Sequence, residues 1–400
     1  MVRSSLRNPD GTSKGHGMSW LDGTIFVTGA TGFIGGRVCE RLVQAGARRV
    51  RALVHNMHRA ARIGRLPIEL CPGNLLETDS LRQPLAASTI VIHCGLGNAR
   101  GIVRGTENLL SVCREGEVKR FVHMSTAAVY GLTPPPGSET EDAPLRLTGD
   151  GYCDNKGRAE RAVLRAGQHG LPVVILRPSI VYGPYSAWST RLIEDLREHR
   201  VALIDRGKGA CNTTYVDNLI DAVFASIEND QAIGHTFFIT DGEAVTWGDF
   251  IRAHRDMLGY KEELPHLTGQ EAQAYCKQRP GVVAGSVKAA NRILRSRELR
   301  QLLLQIPVAE RTLSALWGRM QSLPETKQQS IRSRVGVLPK PFAPSKNGRF
   351  VPDEVTIATQ TGTVFFSIEK AKRILGYRPR ILFPQGTALV EQWLRFANYL

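Results

Sequence analysis

Tyr152 and Lys156 stand four residues apart at the start of a stretch, 154–168, with helical patterning, which puts both side chains on one helix face. A free phenol has a pKa of about 10 and is a poor base at neutral pH. A lysine ammonium beside it favours the phenolate and lowers that pKa, and a positively charged ring nearby adds to the effect. Such a pair can pass a proton to or from a substrate oxygen. Ser125 and Thr126 follow the apolar run RFVHM (120–124), at the place where the carboxyl end of a strand meets ligands in open parallel sheets. A hydroxyl there can hydrogen-bond the substrate oxygen; its ordinary alternative is to cap a turn. The Tyr-x-x-x-Lys spacing also arises as a plain helix surface pair, so the elements around it must decide.

The first of those elements is TIFVT (24–28), a short β-branched run that reads as a buried parallel strand. It leads into Thr28-Gly29-Ala30-Thr31-Gly32-Phe33-Ile34-Gly35. Gly29 permits a tight turn out of the strand. Gly32 lets backbone approach a pyrophosphate whose charge the helix N-terminus favours, and Gly35 lets helix and strand pack closely. A glycine triplet alone is weak evidence. Between a strand and a helix expected over about 34–45 it predicts a dinucleotide site, with Gly29, Thr31, Gly32, Phe33, Ile34 and Gly35 as contacts. The second strand (49–55) ends at His55, with Arg59 and Arg62 following, and no acid lies between Glu40 and Glu69. An acid at that end selects NAD, whereas a base accommodates the 2′-phosphate of NADP. The reading therefore favours NADP, held by His55 and Arg59, with NAD as the alternative.

Further strands are expected at 68–71, 89–93, 120–124 and 172–176, with helical stretches between them, notably 105–114 and 154–168. Strands alternating with helices predict an α/β chain: a Rossmann, doubly wound parallel sheet with a smaller C-terminal substrate domain. Residues 1–19 read as a disordered tail and 20–180 as the dinucleotide-binding domain, to which 215–245 returns with the strand-like TFFIT. The substrate domain is expected from 181–214 and 246–400 and contains a basic helical insert, 261–350.

The 400-residue chain has a formal net charge of +15, and residues 261–350 supply much of it. No nucleic-acid-binding signature accompanies that charge, so the expected partner is a small-molecule substrate and not a nucleic acid. The chain has no apolar run long enough to span a bilayer, and its polar N-terminus is unlike a signal peptide, so a cytoplasmic location is expected. The seven cysteines form no CxxC pair, which argues against a zinc site or a disulfide framework; no metal is expected.

Taken in order, TGATGFIGG (28–36), VIHCG (91–95), GTENLL (105–110), STAAVYG (125–131), YCDNK (152–156), LRPSIVYGP (176–184), YVDNL (215–219) and LGYRPR (375–380) resemble the extended short-chain dehydrogenase/reductase superfamily, the NAD(P)-dependent epimerase/dehydratase family. The resemblance covers residues 24–245 and 362–398. It implies that Tyr152 is the general acid/base and that Lys156 binds the nicotinamide ribose and tunes the tyrosine. It places the catalytic hydroxyl at Thr126, with Ser125 as a supporting candidate. It sets Asn74 and Leu75 at the adenine, Cys94, Gly95 and Leu96 along the pyrophosphate and ribose, and Pro178 and Ser179 beside the nicotinamide. It also implies a homodimer packed through two helices per subunit.

The chain departs from the nucleotide-sugar members in two places. Ile180 stands where they usually have asparagine before YGP, and Cys211-Asn212 where they often have Arg-Asp. Both departures make the chain look more like the 3β-hydroxysteroid dehydrogenase and dihydroflavonol reductase branch. The leading expectation is an NAD(P)-dependent oxidoreductase that transfers a hydride between nicotinamide and a hydroxyl or ketone carbon. The alternatives are a nucleotide-sugar epimerase or dehydratase with transient oxidation, and a non-catalytic dinucleotide-binding sensor. Residues 283–306 carry Lys288, Arg292 and Arg295 on one face of an amphipathic helical pattern. That pattern suits peripheral contact with anionic membranes, or ordinary packing of its apolar side.

Overall fold

The computed structural model describes residues 19–95, 99–145, 147–277 and 352–400. Leu96, nearly all of the N-terminal stretch 1–19 and the whole of 283–306 lie outside them. The chain divides into two compact units, residues 1–266 with 355–400, and residues 267–354. In the second, the described helix is Gly269–Lys277. Among the described residues no helix is long and apolar enough to cross a membrane.

The first unit is built on seven parallel strands: β1 (Thr24–Thr28), β2 (Arg49–Val54), β3 (Glu69–Pro72), β4 (Ile90–His93), β5 (Arg120–Met124), β6 (Val173–Pro178) and, after three shorter strands, β10 (Thr236–Ile239). Their spatial order is β10-β6-β5-β4-β1-β2-β3. Every residue of β1, β4, β5, β6 and β10 is buried, as continuous Val/Ile/Phe runs demand when helices cover both faces. Ile25 and Val27 point to one face and Phe26 to the other, in two separate apolar cores. The first face is covered by α1 (Phe33–Gln44) and α6 (Val216–Glu228), and the second by α2 (Thr78–Leu85), α3 (Ala99–Glu115) and α4 (Gly151–Gln168).

The order reverses between β1 and β4, and ligands bind at such a switch point, outside the carboxyl ends of the strands. The chain places Gly29, Cys94, Ser125 and Ser179 just past the ends of β1, β4, β5 and β6. The three shorter strands are β7 (Ile180–Tyr182), β8 (Leu203–Ile204) and β9 (Thr213–Tyr215), and β7 pairs with β9 in parallel. Helices α5 (Ala187–Arg197) and α7 (Trp247–Met257) flank them. Thr246 opens α7 with a reciprocal capping box to Asp249.

Candidate active site

The turn after β1 has the shape of a dinucleotide cradle. Gly29 has φ +67°, and a Cβ there would lie 2.5 Å from the carbonyl oxygen of Cys94. A Cβ on Gly35 would lie 2.3 Å from the carbonyl oxygen of Gly29, so helix and strand approach too closely for a side chain. Gly32 is the N-cap of α1. Neither a side-chain cap nor an acid occupies the first turn, which leaves the amides after Gly32, from Phe33 onward, open to an anion. Thr31 lies in the turn just before Gly32. Across the switch point, Thr28 Oγ1 accepts the Gly95 amide (3.2 Å) and lies 2.6 Å from Nδ1 of His93. Burial pushes the His93 imidazole down to about 3 and the Cys94 thiol up to about 12, so both are neutral at physiological pH. These features fit a dinucleotide.

At the adenosine end, β2 stops at Val54, and His55 and Arg59 are exposed beyond it. Arg62 has turned elsewhere: its Nε pairs with Glu40 on α1 at 2.8 Å, and its guanidinium stacks over the Tyr185 ring at 4.2 Å. Its charge is thus matched locally, contrary to the reading that counted it toward the 2′-phosphate. The Asn74 side chain is taken up in its own turn, accepting from the Leu76 amide and donating to Glu77. The Leu75 carbonyl accepts from Asn108 at 2.9 Å.

Helix α4 brings Tyr152 and Lys156 to the end of β5. Asp150 caps it through the Cys153 amide. Lys156 is buried and donates to the carbonyl oxygen of Met124 at 2.7 Å. Burial lowers its pKa to about 8, against the opposing charge of Glu160. Tyr152 is 42 % exposed. Its hydroxyl faces the Thr126 side chain, which pulls the pKa down. Desolvation is the larger effect and raises it, helped by Cys153 and Asp150. The net shift of Tyr152 is therefore upward, where the sequence reading expected a lowering by Lys156, whose ammonium is bonded to Met124.

The two hydroxyls after β5 separate cleanly. Ser125 is buried and donates to Glu160 on the floor of the site. Thr126 accepts the Ala128 amide as N-cap of the 3-10 turn Ala127–Tyr130, whose first two residues line the cleft. Pro178 ends β6, and the Ser179 amide reaches Thr214 Oγ1 at 3.4 Å. Beyond Ser179 the cleft is walled by Ala127, Leu132, Ile180, Cys211, Trp247 and Phe366.

Over residues 25–239 the sequence matches the model of the NAD dependent epimerase/dehydratase family. The chain belongs to that family. Family members are NAD(P)-dependent enzymes, so this chain is an enzyme built for a nicotinamide dinucleotide. One relative is the 4-hydroxy-2-methyl-3-oxo-4-farnesyl-3,4-dihydroquinoline-1-oxide ketoreductase of Stigmatella aurantiaca, 30% identical over 260 residues, covering 62% of this chain and 77% of that protein. Another is a 2-alkyl-3-oxoalkanoate reductase of Stenotrophomonas maltophilia, 28% identical over 251 residues, covering 57% and 73%. Among solved structures, a dTDP-glucose 4,6-dehydratase of Streptomyces venezuelae with NAD bound shares the fold, with TM-score 0.64 and 18% identity, covering 94% of this chain and 98% of that one.

Sequence reasoning missed a layer of buried polar groups under this epimerase/dehydratase-family site: His93, His123, Glu160 and Arg177. Arg177 carried a signal, a lone charge inside the apolar run VVILRP, because a buried guanidinium requires a partner.

Proposed function

We propose that the chain is an NADP-dependent reductase or dehydrogenase of a ketone or alcohol on a largely apolar substrate, with Tyr152 as general acid/base. The observation that carries this reading is the wall of the cleft beyond Ser179. Where nucleotide-sugar members often have Arg-Asp, Cys211 is fully buried. Asn212 spends both ends of its amide on backbone, donating to Val364 at 2.8 Å and accepting from Phe366 at 2.9 Å. Neither residue is left to grip a diphosphate. The two reductase relatives, named for substrates with farnesyl or alkyl groups and an oxo carbon, support the same class.

In the reducing direction Thr126 holds the carbonyl oxygen and Tyr152 protonates it. Lys156 fixes the ribose. Gly29 to Gly35 hold the pyrophosphate, and His55 and Arg59 face the adenosine ribose. When bound, the reduced nicotinamide supplies the hydride, so ketone and proton become alcohol at the expense of one reduced cofactor. A raised tyrosine pKa suits this acid role, since the proton must be present to be given.

The test is an assay of NADPH and NADH oxidation against 2-alkyl-3-oxo acids and esters, beside UDP- and dTDP-sugars. NADPH-dependent turnover of an apolar ketone is expected. Redox-neutral conversion of a nucleotide sugar, or its micromolar binding by calorimetry, would overturn the reading.

A further inference from the structure

The carboxylate of Glu160 is 0% exposed, yet it joins three elements. Ser125, just past β5, donates its hydroxyl to Oε2. Arg177 on β6 donates Nε to Oε1 at 3.1 Å and adds a second contact through Nη2. The other arm of Arg177 reaches the Tyr130 hydroxyl at 2.6 Å, which donates to the Ala143 carbonyl oxygen at 3.0 Å. The guanidinium also lies 5.1 Å from the Tyr130 ring centroid and 5.7 Å from that of Phe238. Glu160 is one helical turn beyond Lys156 and two beyond Tyr152 on α4. Its partner Ser125 adjoins Thr126. Apolar residues of similar volume often replace a buried ion pair without loss of stability, so stability alone does not account for this one.

We propose that Glu160 is a positioning residue: with Arg177 it locks the strand end carrying Thr126 against the helix carrying Tyr152 and Lys156, and it supplies the negative charge that faces Lys156. The inference rests on the reading of Tyr152 and Lys156 as the proton-handling pair. The groups around Lys156 leave that task to Glu160. His93 on β4 and His123 on β5 are kept neutral by burial, and so is the Cys94 thiol. Arg177 is the remaining charge in the cluster, held by Glu160.

Opposite substitutions then have opposite effects. Glu160→Gln removes the anion and uncovers Arg177, so Lys156 binds its proton less tightly. Arg177→Met uncovers Glu160, so Lys156 binds its proton more tightly. The double variant Glu160→Met/Arg177→Met restores neutrality but takes away the acceptor for Ser125.

The experiment measures kcat against pH, together with 13C NMR titration of the Lys156 side chain, assigned with Lys156→Met. The alkaline limb and the lysine titration should move down for Glu160→Gln and up for Arg177→Met, each by roughly tenfold in proton affinity. The double variant should titrate near wild type with kcat lowered roughly tenfold and KM little changed, the signature of lost transition-state placement. Should a single variant fail to fold, the double variant decides: wild-type kcat overturns the positioning role. Lysine titrations that stay put or move in the same direction in both single variants also overturn the proposal. A wild-type chain that turns over no ketone sinks the reading of the reaction, while the NMR titration still tests the charge on Lys156.

Discussion

Lys156 donates its ammonium to the carbonyl oxygen of Met124 at 2.7 Å, two residues before Thr126. The bond joins the helix that carries Tyr152 to the strand end that carries Thr126. Tyr152 has a raised pKa, chiefly from desolvation, and on the proposed reading it enters a reduction as the proton donor. Tyr152→Phe removes that donor with little change in volume. A loss of kcat of about 10²–10⁴-fold is expected, with the NADPH dissociation constant nearly unchanged, because the phosphates are held by Gly29 to Gly35. Turnover at the wild-type rate in a stopped-flow assay would rule out the tyrosine.

The division of labour between the two hydroxyls gives a second prediction. Thr126→Val should lower kcat by about 10²-fold, the scale of one lost donor to a developing oxyanion, with stability lowered only by the lost cap on the Ala128 amide, about 1 kcal/mol. Ser125→Ala should behave in the reverse way. It strips a hydrogen bond from the buried Glu160 carboxylate, costing about 1.5–3 kcal/mol in urea unfolding. Its kcat should fall much less than that of Thr126→Val. Equal losses of kcat in the two variants would contradict the assignment.

Most of the sheet was legible because each strand is a short run of β-branched and aromatic residues, as in TIFVT and RFVHM, bounded by turn residues or helical patterning. The glycine turn was legible for a related reason: Gly29 and Gly35 sit where a Cβ would collide with backbone. The start of α3 was not. It begins at Ala99, ahead of the expected 105, and Gly101 and Gly105 within it read as breaks. The Glu160–Arg177 pair was also hidden. It joins positions 17 apart on different elements, and only the packing of α4 on the sheet brings them together. The role of Asn212 was not legible either, because its amide serves the backbone at Val364 and Phe366, a use that no local pattern announces.

Cofactor choice is the third prediction. Glu40, the nearest acid before the end of β2, is engaged by Arg37 and Arg62, which leaves it poorly placed to repel a 2′-phosphate. NADPH should bind more tightly than NADH. Arg59→Ala should weaken NADPH by about ten- to a hundredfold, the range of one charge-assisted hydrogen bond, and leave NADH nearly unchanged. Fluorescence titration of both reduced cofactors measures this. Tighter NADH binding in the wild type would assign the chain to NAD.

The last prediction concerns stability and turns on Asp241, which is buried between β9, α6 and the C-terminal segment. Its Oδ1 accepts the Tyr215 amide at 2.7 Å and the Asn218 amide at 2.8 Å. Its Oδ2 faces the hydroxyls of Tyr182 and Thr213 without well-aligned hydrogen-bond geometry to either. Burial, the largest cause, raises the carboxyl pKa to about 7. A folded-state pKa above the unfolded one, about 3.9, means that the folded chain binds the extra proton. The associated stability is full below about pH 4 and declines as the pH rises, until it is lost above pH 7. Asp241→Asn keeps the Oδ1 acceptor, puts an N–H toward Tyr182 and Thr213, and cannot ionise. The variant should match wild type near pH 4 and exceed it by about 2–4 kcal/mol at pH 8. Paired urea titrations at pH 4, 6 and 8 measure the difference, in which the other titrating groups cancel. Curves for the two proteins that run parallel across that range would mean that Asp241 stays ionised in the fold.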